Sequence, residues 1–253
     1  MTREDGTVRI AALGDLHYTR SLEQPVREVL AEAGRECDAL LLCGDLTDHG
    51  HVEEAQELAR EIHAAVTVPV IAVLGNHDFE SGKQEELKKV LCDSGIRVLD
   101  GDATEVQGVG FAGVKGFCGG FGRRALGPWG EDIIKHFVRE SVDEALKLEA
   151  ALARLRGKPR IVVLHYSPIQ ETVEGEPPEI FAFLGSSRLE EPLSRYPVQA
   201  VFHGHAHRGQ PEGKTAQGVP VFNVSLQLLR HTYPDQPPFR IFEIPVGNGD
   251  GKT

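Results

Sequence analysis

Short apolar runs alternate with amphipathic stretches along the first third of the chain. The runs at 8–13, 39–43 and 70–74 are dominated by Val, Ile, Leu and Ala, which is typical of buried strands. Between them, apolar residues recur every three or four positions, which predicts helices at 25–33 and from about residue 52 to residue 62. A β-α-β-α-β order of this kind indicates parallel strands.

The same patterns continue to the end of the chain. Further helices are predicted around 87–91, at 131–156 and around 187–193. Further strands are predicted at 96–99, 105–109, 111–114, 161–164, 200–202, 219–224 and 239–244. Two loops have a distinctive composition, rich in glycine at 116–122 and in Pro and Glu at 171–179. No linker divides the chain, so we expect a single domain over 1–253 with a disordered tail at about 247–253.

The charge balance of the chain is acidic, with 27 Lys and Arg against 38 Asp and Glu and a formal net charge of −11. This balance argues against a membrane binder or a general binder of long nucleic acids, whose surfaces are basic. It does not exclude an anionic substrate, because bound divalent ions would dominate the electric field at the site. The four cysteines form no CxxC pair, residues 1–7 lack the apolar core of a signal peptide, and no apolar run approaches ~20 residues. We therefore expect a cytoplasmic protein with reduced cysteines.

Five of the apolar runs end in side chains that offer oxygen or imidazole ligands. These residues are Asp15 and His17; Asp45 and Asp48; Asn76, His77 and Asp78; His165; and His203, His205 and His207. Taken singly, an Asp after a strand is usually a turn or cap residue, and a His that ends an apolar strand is usually a core residue. Five such ends together predict a metal site, because open α/β sheets build their sites beyond the carboxyl ends of their strands.

The mixture of ligand types indicates which ions would suit such a site. Oxygen and imidazole together favour manganese, iron, zinc, cobalt or nickel(II) over calcium or magnesium. Three Asp or Asn positions and four histidines are too many ligands for one ion with an open position, whereas two ions that share a carboxylate would have about four each. A pair of ions ~3.5–4 Å apart can clamp a phosphoryl group and generate hydroxide between them.

The same residues form five blocks that look like those of the calcineurin-like metallophosphoesterase family, in the family's order. The blocks are Asp15-Leu16-His17, Gly44-Asp45-Leu46-Thr47-Asp48, Gly75-Asn76-His77-Asp78, His165 and Gly204-His205-Ala206-His207. The resemblance implies a four-layer α/β/β/α sandwich with two central mixed β-sheets. It also implies two divalent transition-metal ions, with manganese or iron expected first and zinc, cobalt or nickel as alternatives.

The resemblance further implies a role for each residue of the blocks. Two sets of four ligands would share Asp45 as the bridge: Asp15, His17, Asp45 and His207 for one ion, and Asp45, Asn76, His165 and His205 for the other. His77 would be the acid that protonates the leaving oxygen, and Asp48 and Asp78 would orient ligands. His203 precedes the last block and is expected either to orient a ligand or to belong to the core.

The activity that the resemblance implies is hydrolysis of a small phosphate ester by a hydroxide that bridges the two ions. His49 follows Asp48 where the family's protein phosphatases carry an arginine. With few fixed cations, a monoanionic diester is a better electrostatic match than a dianionic monoester. We therefore expect a phosphodiesterase for a nucleotide-like or other small diester. The alternatives are a phosphomonoesterase, a nuclease acting on short nucleotides and a non-catalytic interaction module on the same fold.

Six further residues are candidates for substrate contact: His49, Phe117, Phe121, Arg123, Arg124 and Arg208. Each has an ordinary alternative. His49 equally suits the start of the helix near residue 52, and the glycine-rich loop at 116–122 equally suits a flexible surface loop with two solvated arginines.

Overall fold

Two β-sheets packed face to face form the centre of the computed structural model, which describes residues 6–19 and 26–246. The strands in these ranges are β1 (Thr7–Leu13), β2 (Ala39–Cys43), β3 (Val70–Val73), β4 (Arg97–Val98), β5 (Asp102–Val106), β6 (Val109–Gly113), β7 (Arg160–Val163), β8 (Ala200–His203), β9 (Glu212–Lys214), β10 (Pro220–Asn223) and β11 (Arg240–Pro245). The α-helices are α1 (Val26–Glu36), α2 (Val52–Ala65), α3 (Gln84–Asp93), α4 (Asp132–Arg154), α5 (Phe181–Leu184), α6 (Glu190–Arg195) and α7 (Leu226–Thr232). The tail predicted at 247–253 lies outside the described residues.

The first sheet has the strand order β11-β1-β2-β3-β4, and only β11 runs antiparallel to its neighbour. The parallel pairing of β1, β2 and β3 confirms the β-α-β-α-β prediction. Three helices cover one face of this sheet, and Leu30 of α1, Leu58 of α2 and Leu87 of α3 are fully buried there. These leucines belong to the apolar stripes from which the helices were predicted.

The second sheet has the strand order β5-β6-β7-β8-β10-β9. Its four central strands are parallel, while β5 and β9 are antiparallel strands at its two edges. Helices α4 and α6 cover its outer face through buried residues such as Leu148, Leu152 and Leu193. Both sheets are therefore mixed.

The inner faces of the two sheets form a common core. Leu41 and Ile71 of the first sheet pack in one cluster with Phe111 and Phe202 of the second, and all four are fully buried. Burial of each such side chain stabilises the fold by about 1.5–3 kcal/mol. Strands that are covered on both faces need apolar residues at every position, which explains their unbroken apolar runs. The four-layer α/β/β/α sandwich that the resemblance implied is thus confirmed.

The segment after α3 differs from its prediction. The strand predicted at 105–109 is wrong, because β5 and β6 form an antiparallel hairpin whose turn falls at Gln107 and Gly108. Both turn residues have positive φ, 49° and 83°, as a two-residue hairpin turn requires. Val106 and Val109 flank this turn and are buried, so the sequence pattern resembles one continuous strand.

Three elements were not predicted: β9, α5 and α7. Each is short, since β9 has three residues, α5 has four and α7 has seven, so none shows a full period of apolar residues. All four cysteines lie in the described ranges and are free. Within those ranges, the helices are too short or too polar to cross a membrane.

Candidate metal centre

The predicted ligands come together where the carboxyl ends of strands from both sheets meet. Leu13 pairs with Leu42 and Cys43 pairs with Val73, so the segments after β1, β2 and β3 begin at one level of the first sheet. In the second sheet, β7 and β8 likewise end side by side. The segments that follow these strands carry all seven predicted ligands: Asp15, His17, Asp45, Asn76, His165, His205 and His207.

The backbone at this edge adopts a conformation that side chains other than glycine rarely take. Asp15, His17, Asp45 and His205 have positive φ values of 56°, 44°, 46° and 69°. Among the described residues, Gln107 in the hairpin turn is the only other non-glycine residue with positive φ. Such conformations cost on the order of 1–3 kcal/mol each and persist where the surrounding structure enforces them, which is common at functional sites.

Glycines next to the ligands make room for the ligand side chains. A Cβ atom on Gly75 would lie 2.1 Å from Asp45 Oδ1, and one on Gly204 would lie 2.4 Å from Asp15 Oδ2. Both distances are far below van der Waals contact, so any larger residue would displace these carboxylates. The glycines in the sequence blocks are therefore required by the close approach of two loops.

One set of ligand atoms forms the Asp15 group, defined as Asp15, His17 and His207, in which the atoms lie within 4.8 Å of one another. His207 Nε2 is 3.2 Å from Asp15 Oδ1. His17 Nδ1 is 3.2 Å from Asp48 Oδ1, a contact in which the ring nitrogen donates. That contact leaves His17 Nε2 as an acceptor, and this buried atom has no hydrogen-bond partner in the part of the chain that the structure describes. An unpaired buried acceptor facing carboxylates fits a cation ligand.

A second set forms the Asp45 group, defined as Asp45, His165 and His205, also within 4.8 Å. His165 Nδ1 donates to the carbonyl oxygen of Cys43 at 3.0 Å, which leaves Nε2 as an acceptor. That Nε2 lies 2.8 Å from Asn76 Oδ1 and 3.4 Å from Asp45 Oδ1. Three acceptor atoms facing one another in a buried place fit a shared cation.

Asp45 connects the two groups. Its Oδ2 lies 3.9 Å from His17 Nε2, while its Oδ1 faces His165. His77 also approaches, because the ligand atoms of His17, Asp45 and His77 form a third set within 4.8 Å. The structure therefore brings together all seven predicted ligands and His77.

Burial controls the charge states at this edge. Burial raises the pKa of Asp45 well above its usual range, and the charges of Asp15 and Asp78 raise it further. Burial also lowers the pKa of His165 well below its usual range and lowers that of His205 to about 4. The rings of His165 and His205 are consequently neutral at pH 7, which is the form in which histidine binds a metal. Burial opposes protonation of His207 too, but its hydrogen bond with Asp15 and the Asp15 charge raise the pKa of His207.

The residues predicted to orient ligands contact both loops and side chains. The Asp48 carboxylate accepts from His17, and the Asp48 carbonyl oxygen accepts from His77 Nδ1 at 2.7 Å. Asp78 is buried and accepts from the backbone N–H groups of Gly75, Leu46 and Thr47 and from the Thr47 hydroxyl. Asp78 thus holds together the loops that carry Asp45 and Asn76. It makes no hydrogen bond to a predicted ligand's side chain within the described ranges.

His203 lies outside the three sets of ligand atoms. It is fully buried, and its Nε2 is 2.8 Å from the hydroxyl of Thr172. Burial lowers its pKa to about 4, so the ring is neutral. Of the two expectations for His203, the structure favours a hydrogen-bonded core residue.

The candidate substrate residues occupy different surroundings. His49 is exposed, and its Nδ1 lies 3.0 Å from Glu54 Oε1 in the first turn of α2, a hydrogen bond that raises the pKa of His49. Arg123 and Arg124 are exposed in a short turn after the glycine-rich loop. Arg208 is exposed and lines a cavity of about 790 Å³ beside His207.

The glycine-rich loop at 116–122 is held firmly by its neighbours. The N–H of Gly116 donates to Glu144 on α4 at 2.7 Å, and the N–H of Gly119 donates to the Ala182 carbonyl at 2.8 Å. Its two aromatic residues point into the protein: Phe117 packs on Phe137 and Tyr166, and Phe121 belongs to a buried cluster with Ala206. The loop therefore packs against Tyr166 and Ala206, which adjoin the predicted ligands His165, His205 and His207 in the sequence.

One functional contact was missed by the sequence reasoning. His205 Nε2 donates to the backbone carbonyl oxygen of Phe183 at 3.1 Å, which leaves Nδ1 free to act as a ligand. The thiol of Cys118 donates to the same carbonyl at 3.3 Å. A backbone carbonyl offers no sequence signal, because every residue carries one.

The four-layer fold gathers Asp, Asn and His side chains at the ends of both sheets, in groups that could hold metal ions. The sequence profile of calcineurin-like phosphoesterases matches residues 8–209, most of the chain, and the chain therefore belongs to this family. This is the family that the five sequence blocks indicated.

Individual relatives agree with this family. A probable cyclic nucleotide phosphodiesterase from Rhodococcus erythropolis (strain PR4 / NBRC 100887) is 26% identical over 232 residues, which cover 84% of this chain and 65% of the relative. The chain thus spans about two thirds of that protein. The solved structure of phosphopantetheinyl hydrolase from Mycobacterium tuberculosis matches with a TM-score of 0.66 at 15% identity, covering 94% of this chain and 96% of that one. The structure of TT1561 from Thermus thermophilus matches with a TM-score of 0.53 at 17% identity, covering 88% and 91%. These two structures share the fold.

Proposed function

We propose that the protein hydrolyses small phosphodiesters with two divalent metal ions. One ion would be held by the Asp15 group and Asp45, and the other by the Asp45 group and Asn76. The observation that carries this proposal is the position of Asp45 between two sets of acceptor atoms, including the unpartnered Nε2 of His17. The oxygen and imidazole ligands favour manganese or iron, with zinc, cobalt or nickel as alternatives. We also propose a cytoplasmic location, which the four free cysteines support.

In this proposal, the catalytic roles are shared between the two ions and side chains of the protein. Bound divalent ions supply Lewis acidity that neutralises the phosphoryl oxygens and activates water for attack. His77 Nδ1 donates to the Asp48 carbonyl at 2.7 Å, so its Nε2 is free to carry the proton for the leaving oxygen. The carboxylates of Asp48 and Glu80 lie 3.8 Å and 3.6 Å from the same Nδ1.

The charges around the site support a diester as substrate. A phosphomonoester is nearly a dianion at neutral pH, whereas a diester carries one negative charge. His49 is paired with Glu54, so the pair adds no net positive charge. The Lys115 ammonium is enclosed by aromatic rings and donates to the Gly116 carbonyl, so its positive charge is already engaged inside the protein. The Rhodococcus relative is named for cyclic nucleotides, which are phosphodiesters, and this adds support.

A matched pair of substrates tests the proposal. We expect kcat/KM at pH 7–8 to be higher for bis(4-nitrophenyl) phosphate than for 4-nitrophenyl phosphate, which shares its leaving group. Both are measured with the manganese-loaded protein, and protein treated with a chelator is the control. A clear preference for the monoester would contradict the diester assignment.

A phosphomonoesterase is the second candidate, and one observation favours it. Arg208 adjoins His207 and lines the cavity beside it, where a guanidinium can add positive charge for a dianion. If the monoester is preferred, Arg208→Gln should reduce that preference, whereas Arg123→Gln on the exposed turn should not.

A further inference from the structure

Four phenylalanines that are not fully buried form an aromatic strip, defined as Phe79, Phe117, Phe137 and Phe183. The ring centroids of Phe117 and Phe137 are 5.0 Å apart, and those of Phe137 and Phe183 are 6.5 Å apart. The Lys115 ammonium joins the remaining member, at 5.2 Å from the Phe79 ring and 4.9 Å from the Phe117 ring. Such spacings are those of packed aromatic pairs and cation–π contacts, so the strip is continuous.

The strip follows one rim of the metal centre. At one end, Phe79 lies in the same short helical turn as His77. At the other end, the Phe183 carbonyl accepts from His205 Nε2 at 3.1 Å. Tyr166 connects the strip to the ligands, because its ring is 4.5 Å from the His205 ring and 5.3 Å from the Lys115 ammonium. The strip therefore adjoins the metal centre at both of its ends.

Both ends of the strip expose apolar surface. The exposed fraction is 55% for Phe183 and 38% for Phe79. Exposed apolar surface beside a polar site is typical of ligand binding, because its burial by a ligand is favourable. The side chains of the strip are short and already packed on one another, so the binding of a ligand costs little of their conformational entropy.

We propose that the aromatic strip binds an aromatic substituent of the ester, such as a nucleobase or an aryl group, while the phosphate occupies the metal centre. This assignment rests on the proposed function, in which the substrate is a small phosphodiester. The strip favours an aromatic occupant over an alkyl chain, because an aromatic ring also gains from stacking on the phenylalanine rings. Phe183, as the most exposed member, provides the surface on which that ring stacks.

Two diesters with one leaving group test the strip: phenyl 4-nitrophenyl phosphate and methyl 4-nitrophenyl phosphate. We expect kcat/KM to favour the phenyl ester, and Phe183→Ala to lower the phenyl-to-methyl ratio by about fivefold or more, as for loss of one aromatic stack. Phe183→Tyr keeps the ring and should keep the ratio. Leu146→Ala is the matched control, since Leu146 has an exposed fraction of 52% on α4 and is not part of the strip. A ratio that Phe183→Ala leaves unchanged would overturn the proposal.

A binding measurement separates this proposal from the diester assignment. Phenylphosphonate and methylphosphonate cannot be hydrolysed, and calorimetry with the manganese-loaded protein gives their affinity ratio whichever ester is the substrate. Failure to cleave diesters would remove the diester assignment, while a phenyl preference that depends on Phe183 would still support the strip. Equal affinities of the two phosphonates for the parent protein would refute the strip itself. If thermal melting shows that Phe183→Ala is unfolded, Phe183→Leu replaces it with the same expected loss of ring preference.

Discussion

Substitution of Asp45 by Asn changes the carboxylate that lies between the two sets of ligands. Asp45 Oδ1 is 3.4 Å from His165 Nε2, and Oδ2 is 3.9 Å from His17 Nε2. Oδ1 also accepts from the backbone N–H of His77 at 2.9 Å. Asparagine has the same shape and keeps one oxygen for that hydrogen bond, so the variant removes the charge and leaves the packing in place.

The metal-free protein should become more stable through this change. Burial and the charges of Asp15 and Asp78 raise the pKa of Asp45, so the folded state binds this proton more tightly than the unfolded chain does. The contribution of Asp45 to stability is therefore present below about pH 4 and is lost as pH rises through the raised pKa. At pH 7, Asp45→Asn should stabilise the metal-free protein by about 1–3 kcal/mol, the cost of a buried group without a partner. That range corresponds to a Tm increase of about 2–12 °C for a chain of this size.

The metal-loaded protein should respond in the opposite direction. A metal at about 100 times its Kd adds about 2.7 kcal/mol to stability at one site, which is about 5–11 °C in Tm. Asp45→Asn should lose most of this increase together with the activity, because both proposed sites share Asp45. Scanning calorimetry with a chelator and with manganese, combined with elemental analysis, measures both effects.

Asp143→Asn is the control for this experiment. Asp143 pairs with Arg139 at 2.9 Å on the exposed side of α4, and its substitution should leave the metal-dependent shift unchanged. If the Asp45→Asn variant still binds two ions and shows the full metal-dependent Tm shift, the bridging role of Asp45 is refuted. A metal-free variant no more stable than the parent would refute the electrostatic argument.

Three other substitutions test neighbouring contacts. His77→Ala should lower kcat/KM by about 10²–10⁴-fold for alkyl leaving groups and only slightly for 4-nitrophenolate, as expected for a lost general acid; equal losses would assign His77 another role. Gly75→Ala should abolish the metal-dependent Tm shift in calorimetry, because its Cβ would lie 2.1 Å from Asp45 Oδ1, and a retained shift would mean that the loop gives way. Asp48→Asn should weaken metal affinity by about 10–100-fold in a titration, because Asp48 orients His17 at 3.2 Å; unchanged affinity would show that His17 is oriented by other contacts.

The sequence predicted the sheets, and it located the candidate ligands at the strand ends that the structure brings together, because both follow local patterns. Buried parallel strands need continuous apolar runs, and Asp45 and His165 directly follow such runs. The hairpin turn at Gln107 and Gly108 was missed because flanking valines hide it, and α7 was missed because seven residues are too few to establish a helical period.

The part of the site that could not be predicted depends on contacts between distant segments. The hydrogen bond from His205 to the Phe183 carbonyl involves a backbone atom, which has no signature in the sequence. The aromatic strip joins residues from four separate segments, and the spacing of phenylalanines along the chain does not indicate that they meet. The inward orientation of Phe117 and Phe121 likewise follows from tertiary packing.

The division of ligands between two sheets has a consequence for the kinetics of folding. The hydrogen bond between His165 and the Cys43 carbonyl joins positions 122 residues apart, and the Asp45 group exists only after both sheets have docked. Contacts of such long sequence separation are slow to form, so the metal-binding geometry should be absent from the folding transition state. Interactions absent from that state slow unfolding and leave the folding rate nearly unchanged. Bound ions should therefore lengthen the lifetime of the native protein without helping the chain to reach it.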